Sequence, residues 1–375
     1  MARAVIMADK QIQKAGDNAQ QMQASTIIIN NGIDEKRARE IYADMNVLAI
    51  KNYTAEAISV ANARVTEFEK RLMPKMQAID GALESFADPS FQLLLVEAQK
   101  TAAATERPVD YDLLSELLIH RFQNGNNRQT RAGISRAVEI IDEISDDALL
   151  GLTVYHSVTY FTPVTGNILQ GLDVLDDLFG KIIYGLLPLE TEWLDHLDVL
   201  DAVRINMFGN IKKIQQWYPE KLEGYISVGI EKESEDHKKA IEILNEAKLP
   251  IYPILVDHVL NSGYLRLNLP NKEQIDSLVL QRYIIQNGQP IQINFPLSDI
   301  QKKAIKQIYD LYKNDDVIKN GNITSLMNEW NKRLHLKTLY DWWNNIKTSF
   351  QITSVGKVLA HANAQRCDRN LPPLN

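Results

Sequence analysis

Three aspartates give the run that most resembles a ligand set. Asp195, Asp198 and Asp201 recur every third residue, so on a helix they share one face, with His196 turned away from it. A zinc or di-metal centre needs further convergent ligands, such as Glu-x-x-His pairs on several helices, and neither these nor His-Glu-x-x-His occurs. The run therefore reads as a hydrated acidic face, with no metal expected. Tyr155-His156-Ser157 sets a base beside a hydroxyl. Adjacent residues on a helix do not face each other, and no Gly-x-Ser-x-Gly elbow accompanies them, so His156 reads as structural. Cys367 has His361 six residues before it, a spacing on which a dyad is conceivable, but its place near the end of the chain argues against a nucleophile. No catalytic residue is assigned and no cofactor is expected.

Anion chemistry has two candidates. Arg128, Arg131 and Arg136, with Arg121, surround the Asn124-Gly125-Asn126-Asn127 loop, and guanidinium groups beside a loop and a helix start can hold a phosphate. No Walker A or Gly-x-Gly-x-x-Gly sequence supports a nucleotide site, so pairing with Glu139 or Asp142 is the competing reading. The second candidate is nucleic acid. Lys302, Lys303, Lys306, Lys332, Arg333 and Lys337 lie near Trp330, Trp342 and Trp343. Cations can follow a phosphate backbone while Trp342 stacks on bases. The plainer reading places the tryptophans in a helical core.

The chain has 375 residues, 45% hydrophobic and 24% charged, with a formal charge of −7. That is ordinary globular composition. From residue 298 onward there are twelve Lys/Arg against seven Asp/Glu, a basic module on an acidic body. One cysteine allows no intrachain disulfide. The first residues are too polar for a signal peptide, and no apolar run is long enough to span a membrane. A cytoplasmic protein without membrane contact is expected.

The predicted fold is mainly α, of the α+β kind. Asp34 caps a long helical pattern with apolar residues at Ile41, Met45, Leu48, Val65, Phe68, Leu72 and Met76, divided or kinked at Pro74. Four segments are expected. Residues 1–87 form an association segment of strand and helix, and 88–208 a helical domain. Residues 209–297 form a small α+β segment, with a hairpin at Leu280–Ile285, Asn287-Gly288 and Ile291–Phe295. Residues 298–375 form a basic, winged-helix-like module. Its last helix starts at Thr353 or Ser354 with Gly356 allowing close approach, and Phe350–Thr353 forms a small wing.

Before that first helix, Gln- and Asn-rich residues lead into Ser25-Thr26-Ile27-Ile28-Ile29-Asn30, a β-prone run with no neighbouring strand. A lone strand recruits a partner, so Ile27, Ile28 and Ile29 are expected to mediate self-association into a homo-oligomer.

Gly16-Asp17-Asn18, the Ile27–Ile29 strand and the helix to Leu48 resemble an N-terminal cassette of bacterial defence and signalling proteins. With Val138–Val174 and Leu359-Ala-His-Ala-Asn-Ala-Gln-Arg, the chain resembles an uncharacterised bacterial family over nearly its full length. That resemblance implies an association with antiphage defence and supplies no catalytic residue. The expectation is a non-enzymatic interaction or signalling protein with an unknown protein partner. The alternatives are a nucleic-acid binder using the basic module and an enzyme of unknown reaction.

Overall fold

The computed structural model describes residues 32–124, 127–206, 208–286 and 289–374. Helices dominate. The first eight are α1 (Glu35–Ala49), α2 (Ala55–Gln77), α3 (Pro89–Ala104), α4 (Pro108–Gln123), α5 (Arg128–Glu139), α6 (Asp146–Tyr160), α7 (Ile168–Ile182) and α8 (Glu192–Val199). Next come β1 (Val203–Asn206), α9 (Ile214–Lys221), α10 (Glu223–Ile226), β2 (Ile230–Glu231), α11 (Glu235–Glu246), the one-turn α12 (Ile251–Ile254), β3 (Leu255–Asp257) and β4 (Tyr264–Leu267). The chain continues through β5 (Val279–Gln286), β6 (Gln289–Pro296), α13 (Asp299–Asp310), α14 (Asp316–Asn331), α15 (Leu334–Asn345), β7 (Ser349–Ile352) and α16 (Ser354–Cys367).

Local chemistry sets many of these ends. Asp34 accepts a hydrogen bond from Arg37 N at 2.7 Å and starts α1. The first helical pattern breaks at Thr54, whose hydroxyl caps α2, rather than at Pro74. That proline sits in the last turn of α2, which runs on to Gln77. Ser298 and Gln301 form a capping box on α13. Thr353 accepts from Gly356 N at 3.2 Å and starts α16.

Two hydrophobic cores organise the described residues. The larger is built from side chains between Ala38 and Ile226 and resumes between Leu326 and Ala364. The smaller lies wholly between Ile230 and Ile308, with Leu311 and Tyr312 packed on it. An α+β unit is thus inserted into a helical body. In that unit β2, β4 and β3 form an antiparallel sheet in that order. β5 and β6 pair as the expected hairpin, whose Asn287-Gly288 turn lies outside the described residues. Helix α13, expected to open the C-terminal module, contributes Ile305 and Ile308 to the inserted core. The two passages between body and insert run side by side, with Lys313 N donating to Gly229 O at 2.9 Å.

The strand at Phe350 does not form a wing with a sequence neighbour. β7 pairs antiparallel with β1, setting Phe350 opposite Ile205, and no winged-helix arrangement follows from it. α16 then crosses the body between α4, α5 and α6. A Cβ on Gly356 would lie 2.1 Å from Ala202 O, so the close approach expected of this glycine is to the backbone leading into β1. Arg266 joins insert to body. It is fully buried, stacks 4.0 Å over the Tyr225 ring, and donates to the carbonyls of Leu267 and Gly166.

Candidate functional site

The sequence candidates separate in space. On α5, Arg131 turns toward α3 and donates to Ser90 Oγ, which also accepts from Arg121 at 2.7 Å. Arg136 pairs with Glu139 at 3.1 Å and approaches Asp201, while Arg128 is exposed at the start of the helix. The guanidinium groups that meet are therefore Arg121 and Arg131. Burial, with Arg131 as a second cause, pulls the Arg121 guanidinium below its ordinary value.

The basic module is tied into its surroundings. Lys306 pairs with Asp276 at 2.7 Å and Lys337 with Asp341 at 2.8 Å. Lys332 pairs with Glu329, and Arg333 reaches Asp173 on α7 at 2.7 Å. Lys302 is half-buried and Lys303 exposed, both on α13. The tryptophans are core residues: Trp342 donates to Pro188 O, Trp343 to Lys212 O and Trp330 to Leu336 O. Their ring faces are spent on packing; Trp343 stacks on Tyr155 at 4.8 Å.

Ser157 donates back along its helix to Thr153 O and makes no contact with His156. His156 meets His361 instead, and the His120 ring lies 5.5 Å from the same ring, tilted by 44°. His361 Nε2 faces Pro372 O at 2.9 Å, and Gln365 on the same helix donates to Leu371 O and Pro372 O. This cluster pins the segment after α16. Its members are far apart in sequence, so no spacing announces it. Burial pushes the Cys367 thiol up, away from thiolate character.

Two aspartates of the acidic run lie on one wall of an open groove of about 590 Å³, whereas Asp201 falls beyond the end of α8 at a positive φ, so the three do not share one helix face. Asp195 and Asp198 line it with Leu194, Ile205, Asn206 and Lys347. Asp198 accepts from Ile205 N at 3.4 Å and Asp201 pairs with Arg204 at 2.7 Å, so side chains blunt the free edge of β1. Among the described residues no three His, Cys, Asp or Glu side chains converge as metal ligands. In the segments before α8, at its end and after β1, large apolar side chains face solvent. Leu186 is 95% exposed, Leu189 77%, Val199 78% and Phe208 102%. Leu189 also lines an adjoining cleft that shares Thr191, Leu194 and Lys347 with the groove. Glu190 and Glu192 are exposed beside them. The self-association residues Ile27, Ile28 and Ile29 lie outside the described residues.

A family model described as ":-like" matches residues 32–371, and the chain belongs to that uncharacterised family. No curated protein and no solved structure matches the chain. Among the described residues no helix is long and apolar enough to cross a membrane.

Proposed function

We propose that this chain is a cytoplasmic, non-enzymatic interaction protein that assembles with copies of itself, residues 1–31 of one copy docking on the α8 surface of the next. The observation that carries the reading is a groove lined by Asp195 and Asp198, with exposed Leu189 in the cleft adjoining it and exposed Phe208 next in sequence to its lining residue Gly209. An apolar side chain exposed beside a groove suits a docking segment that covers both. The chemistry of the occupant is complementary. Residues 1–14 carry Arg3, Lys10 and Lys14 among Val5, Ile6, Met7 and Ile12, and Ile27–Ile29 follow. Cations can meet Glu190, Asp195 and Asp198 while the aliphatic residues cover Leu189 and Phe208. Three strongly shifted titratable groups serve the fold: His156 and His361 are buried and Lys221 half-buried, each bonded within its own chain. A role in bacterial antiphage defence belongs to the same reading, and its support is the N-terminal resemblance.

Light scattering tests it on the full chain, a 32–375 chain, and Phe208→Asp with Leu189→Asp. The full chain should be an oligomer, and both altered forms should fall to a lower order. Asp195→Arg should weaken assembly, and Lys10→Glu in the same chain should restore it. Equal masses for the full and shortened chains would refute the reading.

A further inference from the structure

The segment after α16 sits on the body as a peptide ligand sits in a groove. Leu371-Pro372-Pro373-Leu374 has an aliphatic side chain at each end and two prolines between them. Each proline fixes its own φ and keeps the residue before it extended, a backbone whose carbonyls have no internal donor. Side chains of the body supply the donors. His361 Nε2 donates to Pro372 O at 2.9 Å, and Gln365 Nε2 to Leu371 O at 3.3 Å and Pro372 O at 3.2 Å. The Tyr160 hydroxyl donates to Pro373 O at 3.4 Å. Leu371 and Leu374 pack half-buried on the large core, while both prolines are exposed.

A buried layer aims these donors. His156 Nε2 lies 3.2 Å from the other ring nitrogen of His361. His120 Nε2 lies 2.6 Å from Gln365 Oε1, which turns the amide NH2 toward the tail. Among the described residues the body reaches the three carbonyls through side chains alone, so the segment can leave without opening a helix or a sheet. The groove also outruns its occupant. Beside Leu374 it opens into a cavity of about 410 Å³ between the ends of α4 and α5 and the start of α16, lined by Asn124, Asn127, Thr130, Ser354 and Lys357. Lys357 is exposed on its rim, and no Asp or Glu lines it among the described residues.

We propose that this groove docks a proline-containing segment of another protein, an aliphatic–Pro–Pro–aliphatic core followed by acidic residues, and that the chain's own tail is the resident occupant the partner displaces. Proline-rich segments dock in aromatic-lined grooves because their extended backbone is already ordered. The incoming segment repeats the bonds of the tail and adds those of the cavity, where Asn124 and Asn127 can bond its backbone and Lys357 an acidic side chain. The tethered tail competes at high effective concentration, so a segment lacking those added contacts is kept out. This docking uses none of residues 1–31 and is independent of self-assembly through them.

Fluorescence anisotropy tests it with a labelled peptide that has the sequence of residues 368–375 followed by two glutamates. The full chain carrying Leu371→Asp and Leu374→Asp, which unseats the tail, should bind this peptide. The wild type should bind it about tenfold or more weakly, because its own tail competes. Pro372→Ala with Pro373→Ala in the peptide should weaken binding about fivefold or more. Lys357→Glu in the unseated chain should abolish the advantage of the two glutamates over the same peptide without them. Leu371→Ala with Leu374→Ala unseats the tail more gently, should the aspartates disturb folding. No binding to a folded, unseated chain, equal binding to unseated and wild-type chains, or indifference to the prolines would overturn the proposal. Loss of folding in both variants would overturn it too, since the tail would then be part of the core. An oligomer that survives removal of residues 1–31 and is lost in Leu371→Asp with Leu374→Asp would give the groove to the tail of a second copy instead.

Discussion

His156 Nε2 lies 3.2 Å from His361 Nδ1 in the buried contact between α6 and α16. The geometry orders the protons. His361 Nε2 faces a carbonyl oxygen, so it donates there, and its Nδ1 is left to accept from His156 Nε2–H. Both rings are neutral in this arrangement. Burial, then His361, Lys357 and Lys221, pulls His156 down to about 3, and burial with His120 pulls His361 down to about 4.

Acid should therefore unfold this protein early. Both values lie below the 6.5 of a free histidine, so the unfolded chain binds protons first. The stability held by the pair is complete above about pH 6.5 and is lost as pH falls toward 4 and below. Urea midpoints at descending pH should fall steadily through that window, and His156→Gln should flatten the decline. An unchanged slope in the variant would move the effect to other groups.

Two glycines in helices should respond oppositely to alanine. A Cβ placed on Gly321 in α14 would meet nothing within 4 Å, so Gly321→Ala should stabilise by up to about 1 kcal/mol from helix propensity alone. Gly356 in α16 faces Ala202 O, and there Gly356→Ala should cost about 1–3 kcal/mol or more through overpacking. Denaturant midpoints decide it; a stabilised Gly356→Ala would mean that α16 can shift away from β1 at little cost.

Lys221 closes the end of α6. Its ammonium donates to the carbonyls of Val158 at 2.8 Å, Thr159 at 3.2 Å and Phe161 at 2.7 Å, and burial draws it down to about 8. Lys221→Met leaves these acceptors without that donor, at about 1–3 kcal/mol for each that water does not reach. A chemical denaturation curve matching the wild type would show that solvent replaces the ammonium fully.

Arg333 should matter for stability more than for any polyanion. It bridges Asp173 and Leu169 O on α7 to the turn before α15. Arg333→Ala should lower the melting temperature, while retention on a DNA column at low salt should barely change. A selective loss of DNA retention with unchanged melting would restore the nucleic-acid reading of this segment, and such binding should weaken steeply with salt.

Features written in adjacent residues were legible. Asp34, Ser298 and Thr353 announce their helices because a cap needs only a side chain and an amide two or three residues on. The β5–β6 pair follows from alternation around Asn-Gly. Long-range contacts were not legible. Nothing near Phe350 indicates that its strand partner is Ile205, and nothing near Ser90 indicates Arg121 or Arg131. The arginines of α5 looked like one group because sequence proximity hides the turn of the helix, which aims Arg131 and Arg136 at different neighbours. The tryptophans and lysines near residue 340 looked like a binding face because indole N–H groups can be satisfied by distant carbonyls.

The position of α16 has a consequence for synthesis. Helices α4, α5 and α6 leave the ribosome long before the helix that lies among them, and the whole α+β insert is translated in between. The insert draws its core from one continuous stretch and can close while the nascent chain is still growing. The body cannot: its early helices must keep an apolar face open until residue 367 has emerged. Ribosome-associated chaperones should therefore engage this chain through its first half, and a premature stop shortly before α16 should send it to proteolysis rather than leave a nearly complete protein.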